Sequence, residues 1–330
     1  MNYKKSAEIL KKISLTERIL INCHRNPDAD SIGAALATAK VLGRLGKKVT
    51  IISPDEIIHD YKFLPGVDKI LKVDFAKFKF GDFDLFIILD SAGPNMITGR
   101  DDKFKPGIPT ICIDHHETNI DFADLTLNDP GKSSTGELLY RLFEDWGVGV
   151  DRDIATCLMA GIINDSGNFT YQSVTTETFD VAKRLMEKGA NRALIVENLL
   201  RSVPLSTLKM VGMMIDRAEL DRKFRFVWTA VSFNEAKALG EVAGARDIAA
   251  NLIVQTKEAD FCLIMVEKDR GVLSVSLRSR NSFDVSKIAT ALGGGGHKAA
   301  AGARISKVPY DSAVLKVLET ARRIANEAKN

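Results

Sequence analysis

The fold is decided by the stretch DLFIILD at residues 84–90. Its apolar residues run without alternation, which is typical of a strand that is buried on both faces of a parallel sheet. Shorter apolar runs of the same kind, RILINC at 18–23 and TICI at 110–113, lie on either side of it. Helical patterns separate these runs, and strands that alternate with helices predict an open α/β sheet.

The same alternation continues along the chain. In the first part the predicted strands are 18–23, 48–53, 84–89 and 110–113, and the predicted helices are 32–45, 135–146, 154–164 and 178–188. In a second α/β unit the predicted strands are 224–231, 261–267 and 272–277, and the predicted helices are 247–255, 285–292 and 312–328. The stretch between the two units has a helical pattern without strand signals and contains Pro204. The predicted domains are therefore 1–190 and 223–330, with a helical connector at 191–222.

Length and composition are those of an ordinary soluble globular protein. The chain has 330 residues, of which 45% are hydrophobic and 27% charged, and its formal net charge is +3. This length predicts two hydrophobic cores. The small positive charge argues against a protein that coats long nucleic acid, but it allows a local pocket for anions.

Targeting signals and disulfide patterns are not visible in the sequence. No run approaches the roughly 20 apolar residues of a membrane span, and the first residues lack the apolar core of a signal peptide. The four cysteines, Cys23, Cys112, Cys157 and Cys262, are far apart and form no C-x-x-C pair. We therefore expect a cytoplasmic protein with reduced thiols and no membrane contact.

Acidic and histidine side chains follow three of the predicted strands. They are His24, Asp28 and Asp30 after the first strand, Asp90 after DLFIIL, and Asp114, His115 and His116 after TICI. A further carboxylate, Asp165, follows the helix AGIIN. Because the carboxyl ends of parallel strands meet at one edge of the sheet, we expect these side chains to converge in one crevice.

The residue types in this crevice predict metal chemistry. Clustered carboxylates repel each other unless cations neutralise them, and carboxylates with imidazoles suit Mn²⁺ or a similar divalent ion better than a structural zinc site. Two ions about 3.5–4 Å apart can bracket the attacking and leaving oxygens of a phosphoryl group. Any one of these residues alone is as well explained by structure, since Asp30 could cap the next helix. The coincidence of all the clusters favours a two-metal phosphohydrolase.

The second predicted domain carries a separate signal, four glycines at 293–296 followed by His297. Backbone N–H groups of glycines can approach an anion closely, and Arg278 could bind a phosphate through two parallel hydrogen bonds. A flexible loop explains the glycines alone at least as well. Combined with the metal cluster of the first domain, we interpret them as a substrate-phosphate site.

Together these motifs resemble the DHH phosphoesterase family. The resemblance is carried by H-x-N-P-D-x-D-S-x-G beginning at His24, by D-H-H at 114–116 and by D-S-G at 165–167. The glycine run with its histidine, and R-S at 278–279, resemble the DHHA1 domain. The resemblance covers the whole chain and is closest to nanoRNases that also act as pAp phosphatases. It implies a larger domain with a parallel sheet and a smaller domain with a mixed sheet.

The resemblance also implies roles for the site residues. One Mn²⁺ ion would be bound by His24, Asp28 and Asp90, and a second by Asp30, Asp90, His115 and Asp165, with Mg²⁺ or Co²⁺ as substitutes. Asp114 would orient a metal-binding histidine, and His116 would contact the phosphate and help the leaving oxygen to depart. The substrate-binding residues would be Arg278, Ser279, Gly294, Gly295, Gly296 and His297. Relatives commonly have an arginine soon after the Asp90 position; whether Arg100 fills that role is open.

Two other patterns have structural interpretations. Residues 134–137, STGE, have the spacing of a capping box before an apolar helix. Phe169 and Tyr171 could stack on a nucleotide base, but filling the core explains them equally well.

The predicted function is hydrolysis of short oligoribonucleotides, dinucleotides and 3′-phosphoadenosine 5′-phosphate (PAP). Such RNA fragments and small nucleotides would be the partners, and a homodimer stays open. The alternatives are a linear dinucleotide phosphodiesterase of cyclic-dinucleotide turnover, a RecJ-like exonuclease, an inorganic pyrophosphatase and an inactive nucleotide sensor. RecJ-like enzymes carry further domains that this length does not accommodate, and the pyrophosphatases lack the glycine–histidine run. A sensor is disfavoured because no predicted metal ligand is missing.

Overall fold

The computed structural model describes residues 3–99, 104–239, 244–296 and 298–328. It divides into two compact units, Met1–Ser202 and Val203–Asn330, each built on its own sheet. Arg100 and His297, singled out in the sequence, lie outside the described residues. None of the described helices is long and apolar enough to cross a bilayer.

The first unit is an α/β layer structure. Its strands are β1 (Arg18–Asn22), β2 (Lys48–Ser53), β3 (Ile70–Lys72), β4 (Leu85–Leu89), β5 (Thr110–Asp114) and β6 (Leu125–Asn128). Its helices are α1 (Ser6–Ser14), α2 (Ala29–Arg44), α3 (Pro94–Thr98), α4 (Thr135–Asp145), α5 (Arg152–Asp165), α6 (Thr176–Glu187) and α7 (Arg192–Leu200). Neighbouring strands run parallel in the order β3-β2-β1-β4-β5-β6. The order reverses between β1 and β4, and open α/β sheets bind ligands at such a switch point.

Strand β4 shows why its sequence lacks alternation. Ile87 and its neighbours two residues away pack into the core that α2, α4 and α5 share with the sheet. Phe86 and Ile88 point to the opposite face and pack into a second core with Phe75 and Phe80. Both faces of β4 are therefore covered, so every position must be apolar.

The second unit is built on a mixed sheet. Its strands are β7 (Glu219–Asp221), β8 (Phe226–Val231), β9 (Phe261–Asp269), β10 (Val272–Ser279), β11 (Gly295–Gly296) and β12 (Ala300–Ser306). Its helices are α8 (Leu205–Asp216), α9 (Phe233–Ala238), α10 (Ala245–Ile253), α11 (Ser286–Ala291) and α12 (Tyr310–Glu327). The order is β11-β12-β10-β9-β8-β7, with β8 and β9 parallel and the other pairs antiparallel. Separate cores lie on its two faces. The predicted α/β class, with a larger parallel-sheet domain and a smaller mixed-sheet domain, is confirmed.

Several elements differ from the sequence-based prediction. The predicted helical connector at 191–222 contains α7 and α8, but it ends in the unpredicted three-residue strand β7. Strand β12 was also missed, because its sequence AAGARIS begins with residues that are depleted in strands. Pairing with β10 along seven residues decides its conformation instead.

Candidate metal centre

The predicted ligands come together from the ends of β1, β4 and β5, the beginning of α2 and the end of α5. Three overlapping groups of donors form, and all of them contain Asp90: two match the predicted ion sites, and the third combines Asp90 with His115 and His116. The first, here called the His24 group, consists of His24, Asp28 and Asp90; the second, the His115 group, consists of Asp30, Asp90, His115 and Asp165. Within each group one donor atom per residue lies within 4.8 Å of the others. Their roles as metal ligands stay a prediction.

Asp90 lies between the two groups because each of its oxygens faces a different histidine. Oδ2 is 3.4 Å from Nε2 of His24, and Oδ1 is 3.6 Å from Nε2 of His115. The backbone of Asp90 has a φ of 52°, which is uncommon for a residue with a side chain. Its N–H donates to the carbonyl of Ile113 on the neighbouring strand at 3.1 Å. The sheet thus holds Asp90 in a strained conformation, as is frequent at functional sites.

Both histidines are oriented by backbone carbonyls. Nδ1 of His24 lies 2.9 Å from the carbonyl oxygen of Arg25, and Nδ1 of His115 lies 3.2 Å from that of Lys132. In the neutral form Nδ1 then carries the proton, and Nε2 keeps the lone pair that a metal ion needs. The sequence predicts neither carbonyl, because every residue has one. The carbonyl of Lys132 also lies 17 residues from His115.

The donor set fits a divalent cation. Nε2 of His115 is buried and has no well-formed hydrogen bond to any described residue, although Oδ2 of Asp165 lies 3.3 Å away. Adjacent ligand atoms around one ion are about 3–3.5 Å apart, since metal–ligand bonds of about 2.1 Å meet at roughly a right angle or a little more. An ion among the carboxylates would satisfy this nitrogen and reduce their mutual repulsion.

Protons balance the charge of these side chains. Burial raises the pKa of Asp30 well above its ordinary value, and the carboxylates of Asp90 and Asp165 raise it further. Burial alone would lower the pKa of His24, but Asp90 and Asp28 together outweigh burial and the pKa rises to about 10. Asp165 and Asp90 likewise raise the pKa of His115 to about 10 against the effect of burial. The site therefore attracts positive charge.

Asp30 is held by the beginning of α4. Its side chain is fully buried, and it accepts from the backbone N–H groups of Thr135, at 2.7 Å to Oδ2, and Gly136, at 2.9 Å to Oδ1. The first free N–H groups of a helix suit such an anion. The cap of α2 is Asp28, which accepts from the N–H of Ser31 at 3.0 Å, so the alternative role of Asp30 as a cap is wrong.

The predicted capping box at 134–137 is only half formed. Ser134 caps α4 and accepts from the N–H of Glu137 at 3.0 Å. The carboxylate of Glu137 does not return to Ser134; it accepts instead from the N–H and hydroxyl of Ser133. The hydroxyl of Thr135 donates to Oδ1 of Asp90 at 3.0 Å. The sequence reasoning missed this contact with a predicted metal ligand.

The packing of α5 against α2 leaves no room beside Asp30. A Cβ atom on Gly161 would lie 2.1 Å from Oδ1 of Asp30. Gly33 in α2 is packed equally tightly, since a Cβ there would lie 2.3 Å from the carbonyl oxygen of Cys157. These two glycines let the helices approach closely enough to bring Asp165, at the end of α5, into the site.

Asp114 contacts the two histidines that follow it in different ways. Its Oδ1 accepts from Nδ1 of His116 at 2.7 Å, whereas the ring of His115 is held by a carbonyl. The side chain of Asp114 thus holds the ring of His116, and it contacts His115 only through the backbone N–H of that residue, which donates to Oδ1 at 2.9 Å. That Asp114 orients a metal-binding histidine stays a prediction. Asn119, a further residue that was missed, donates to Oδ2 of Asp114 at 2.7 Å. His116 also lies near Asp90, at 3.8 Å between Nδ1 and Oδ1.

The predicted substrate residues of the second unit have partners within that unit. The guanidinium of Arg278 donates to Oδ1 of Asp247 at 3.2 Å and to the carbonyl of Leu277 at 3.1 Å. The hydroxyl of Ser279 donates to the carbonyl of Asn281 at 2.8 Å. A phosphate bound by Arg278 would therefore share it with Asp247.

The glycine run is partly explained by strand packing. Gly295 and Gly296 form β11, which pairs with β12. A Cβ atom on Gly294 would lie 2.1 Å from the carbonyl oxygen of Gly302, and Gly296 has a φ of 140°. A Cβ on Gly295 would meet nothing within 4 Å, so packing does not require a glycine there. Since β12 lies between β11 and β10, Gly295 and Gly296 are separated from Arg278 by one strand.

The two aromatic residues after Asp165 differ in their surroundings. Phe169 packs partly against the main core, and its ring stacks on Phe179 at 5.3 Å between centroids. Tyr171 is 48% exposed. Core filling therefore accounts for Phe169, while base stacking stays a prediction for Tyr171.

Family models match both units. The model described as the DHH family, N-terminal domain, matches residues 18–162, and the DHHA1 domain model matches residues 230–327. The chain belongs to the DHH family, which confirms the resemblance seen in the motifs. It is a phosphoesterase of the class that carries a DHHA1 domain.

Individual relatives resemble the chain over nearly its whole length. The bifunctional oligoribonuclease and PAP phosphatase NrnA of Thermus thermophilus is 31% identical, over 96% of this chain and 92% of the relative. The cyclic-di-AMP phosphodiesterase PdeA of Listeria monocytogenes is 25% identical over 92% of this chain, which spans only 47% of that protein. The solved structure of an exopolyphosphatase-related protein from Bacteroides fragilis has a TM-score of 0.90 at 26% identity, covering 98% of this chain and 97% of the other.

Proposed function

We propose that this chain is a manganese-dependent hydrolase that degrades short oligoribonucleotides and dephosphorylates PAP. The observation that carries the proposal is the pair of donor groups that share Asp90. Such a pair would hold two ions that share one carboxylate, and two-metal phosphoryl transfer uses two neighbouring ions of this kind. Similarity to an oligoribonuclease and PAP phosphatase over nearly the whole of both chains supports this substrate class.

The proposed ion ligands are the members of the His24 group and the His115 group. When bound, two divalent ions would supply an activated water and neutralise charge on the phosphoryl oxygens. Asp90 would fix the distance between the ions, because it belongs to both groups. Carboxylates and imidazoles together suit Mn²⁺, and Mg²⁺ or Co²⁺ would be substitutes.

His116 is the proposed group that assists the leaving oxygen. Its Nδ1 is held by Asp114, which is itself held by Asn119. This chain of hydrogen bonds fixes the plane of the imidazole, so that the other ring nitrogen can donate a proton in one direction.

Substrate selection is the proposed task of the second unit. Arg278 would bind a terminal phosphate in place of part of its contact with Asp247. The backbone at Gly295 would approach the same phosphate, because no side chain blocks it there. Ser279, Gly294, Gly296 and His297 complete the proposed set, in which His297 lies outside the described residues.

A second candidate is a phosphodiesterase for linear dinucleotides. The observation that favours it is the 25% identity to a cyclic-di-AMP phosphodiesterase over 92% of this chain. Both candidates use the same donor groups, so only substrate preference separates them.

The decisive experiment compares turnover of four substrates by the full chain with Mn²⁺: PAP, a linear diadenylate, a five-residue RNA and pyrophosphate. We expect phosphate from PAP and mononucleotides from both RNAs, with pyrophosphate left intact. Turnover of the dinucleotide alone would favour the second candidate. Hydrolysis of pyrophosphate alone, or tight binding of PAP without any hydrolysis, would contradict both.

Arg278→Gln is the matched variant for the recognition role. It should raise KM for PAP and the dinucleotide by about 10-fold or more, since hydrogen bonds to charged groups contribute about 1.5–3 kcal/mol. It should change hydrolysis of bis(p-nitrophenyl) phosphate, which lacks a terminal phosphate, far less. Equal losses on all three substrates would contradict the recognition role.

A further inference from the structure

Thr135, the first residue of α4, touches carboxylates of both donor groups. Its hydroxyl donates to Oδ1 of Asp90 at 3.0 Å, and its backbone N–H donates to Oδ2 of Asp30 at 2.7 Å. The residue is fully buried, so water cannot replace either contact. The side chain of Thr135 therefore acts on the shared carboxylate, while its backbone acts on Asp30.

The carboxylate of Asp90 needs such a contact to fix which of its two oxygens faces which histidine. Oδ1 faces His115 and Oδ2 faces His24. The terminal torsion of an aspartate is broad and roughly two-fold, so the carboxylate is not fixed by its own covalent preferences. A hydroxyl that donates to Oδ1 makes one orientation better than the others.

We propose that Thr135 is a positioning residue of the two-ion site, whose hydroxyl orients Asp90 so that Oδ1 serves the His115 group and Oδ2 serves the His24 group. This inference rests on the two-ion part of the proposed function and is independent of the substrate. Loss of the hydroxyl should weaken the ion of the His115 group more, because Oδ1 is the oxygen that loses its donor.

A simpler role for the hydroxyl is to be an ordinary buried polar group. Thr38 in α2 provides the comparison, since it is also fully buried and its hydroxyl has no hydrogen-bond partner within the described residues. If burial of a threonine were all that mattered, Thr135→Val and Thr38→Val would have the same consequences. The positioning role predicts that they differ in metal binding.

The test is a calorimetric titration of metal-free, full-length protein with Mn²⁺ for the wild type, Thr135→Val, Thr135→Ser and Thr38→Val. Every variant keeps the backbone N–H that Asp30 accepts. We expect two ions in the wild type and a roughly 10- to 100-fold weaker second ion in Thr135→Val, as for other residues that orient metal ligands. Thr135→Ser, which keeps the hydroxyl, should recover the affinity to within about threefold. Thr38→Val should match the wild type.

Wild-type affinity for both ions in Thr135→Val would overturn the proposal, and so would equal weakness of Thr135→Ser and Thr135→Val. If Thr135→Val does not fold, judged by circular dichroism, Thr135→Ala and Thr135→Ser provide the same comparison, and equal Mn²⁺ affinities in those two would overturn it. The metal titration separates this inference from the proposed function. A wild type that binds two ions but hydrolyses no oligonucleotide would end the proposed function and leave the role of Thr135 standing.

Discussion

The two donor groups of the first unit are built in different ways. The His24 group takes two of its three members, His24 and Asp28, from one loop after β1, four residues apart. The His115 group gathers its members from α2, the ends of β4 and β5, and the end of α5. One group depends on local chain geometry, and the other depends on tertiary packing.

The supports of the two groups differ in the same sense. His24 is oriented by the carbonyl of the next residue, whereas His115 is oriented by Lys132, 17 residues further on. Asp28 is held by N–H groups of its own helix start, but Asp30 is held by the start of α4, more than 100 residues away. Damage to helix packing should therefore affect the His115 group first.

Replacement of Asp90 should impair metal binding by both groups, because Asp90 belongs to both. Asp90→Asn keeps the shape of the side chain, and asparagine tolerates a positive φ. We expect both Mn²⁺ ions to be lost and hydrolysis of a dinucleotide to fall by at least about 10³-fold, because the shared residue acts in a single catalytic unit.

The matched control for Asp90→Asn is Asp121→Asn. Asp121 also has a positive φ, 50°, but it is exposed and belongs to neither group. It should keep both ions and full activity. Retention of even one tightly bound ion in Asp90→Asn would show that the groups do not depend on a common carboxylate.

Replacement of Gly161 should separate the two groups. In Gly161→Ala the new methyl group would displace Asp30, since its Cβ would lie 2.1 Å from Oδ1. Overpacking of this kind costs about 1–3 kcal/mol. We expect lower stability in urea unfolding and a weaker ion of the His115 group, with the ion of the His24 group retained.

Gly43→Ala is the control for this helix substitution. Gly43 lies in α2, and a Cβ there would meet nothing within 4 Å. Alanine should therefore leave metal binding unchanged and raise stability by up to about 1 kcal/mol, because alanine favours helix. If Gly161→Ala binds both ions as the wild type does, tight packing against Asp30 is not what positions the His115 group.

The difference between the groups explains how much the sequence could predict. The apolar run at 84–90 predicted a doubly covered strand, and parallel strands require their carboxyl ends to meet. The acidic residues and histidines after those strands therefore predicted one crevice of metal ligands, and the family resemblance implied its division into two groups. The short spacing from His24 to Asp28 is visible in the sequence itself.

The supports of the His115 group could not be predicted in this way. Lys132 contributes a carbonyl, which every residue possesses, so its identity gives no signal. Thr135 lies in a segment whose spacing indicated only a helix cap, and its contact with Asp90 depends on where α4 begins relative to β4. Asn119 likewise reaches Asp114 only through the turn after β5. Contacts of this kind depend on three-dimensional packing, which local patterns do not encode.

The smallest expected effect concerns the ion pairs that hold the Lys132 segment. Glu177 pairs with Lys132 and with Arg141, whose Nε donates to it at 2.9 Å. Partial burial would raise the pKa of Glu177, but Lys132 and Arg141 hold it below its ordinary value of 4.5. A carboxylate with a lowered pKa in the folded state stabilises the protein above the unfolded pKa and loses this effect as the pH falls.

Glu177→Gln should therefore destabilise metal-free protein near neutral pH, and the difference from the wild type should disappear as the pH falls through the lowered pKa of the folded state. The loss should be only about 0.5–1 kcal/mol in urea unfolding, because the side chain is 38% exposed and solvent screens the pairs. Glu187→Gln, whose pair with Lys183 is mostly exposed on both sides, should change stability less. If Glu177→Gln weakens neither stability nor the ion of the His115 group, the carbonyl of Lys132 is positioned by the backbone alone. Thr135 and Gly161 would then be the distant residues on which that group depends.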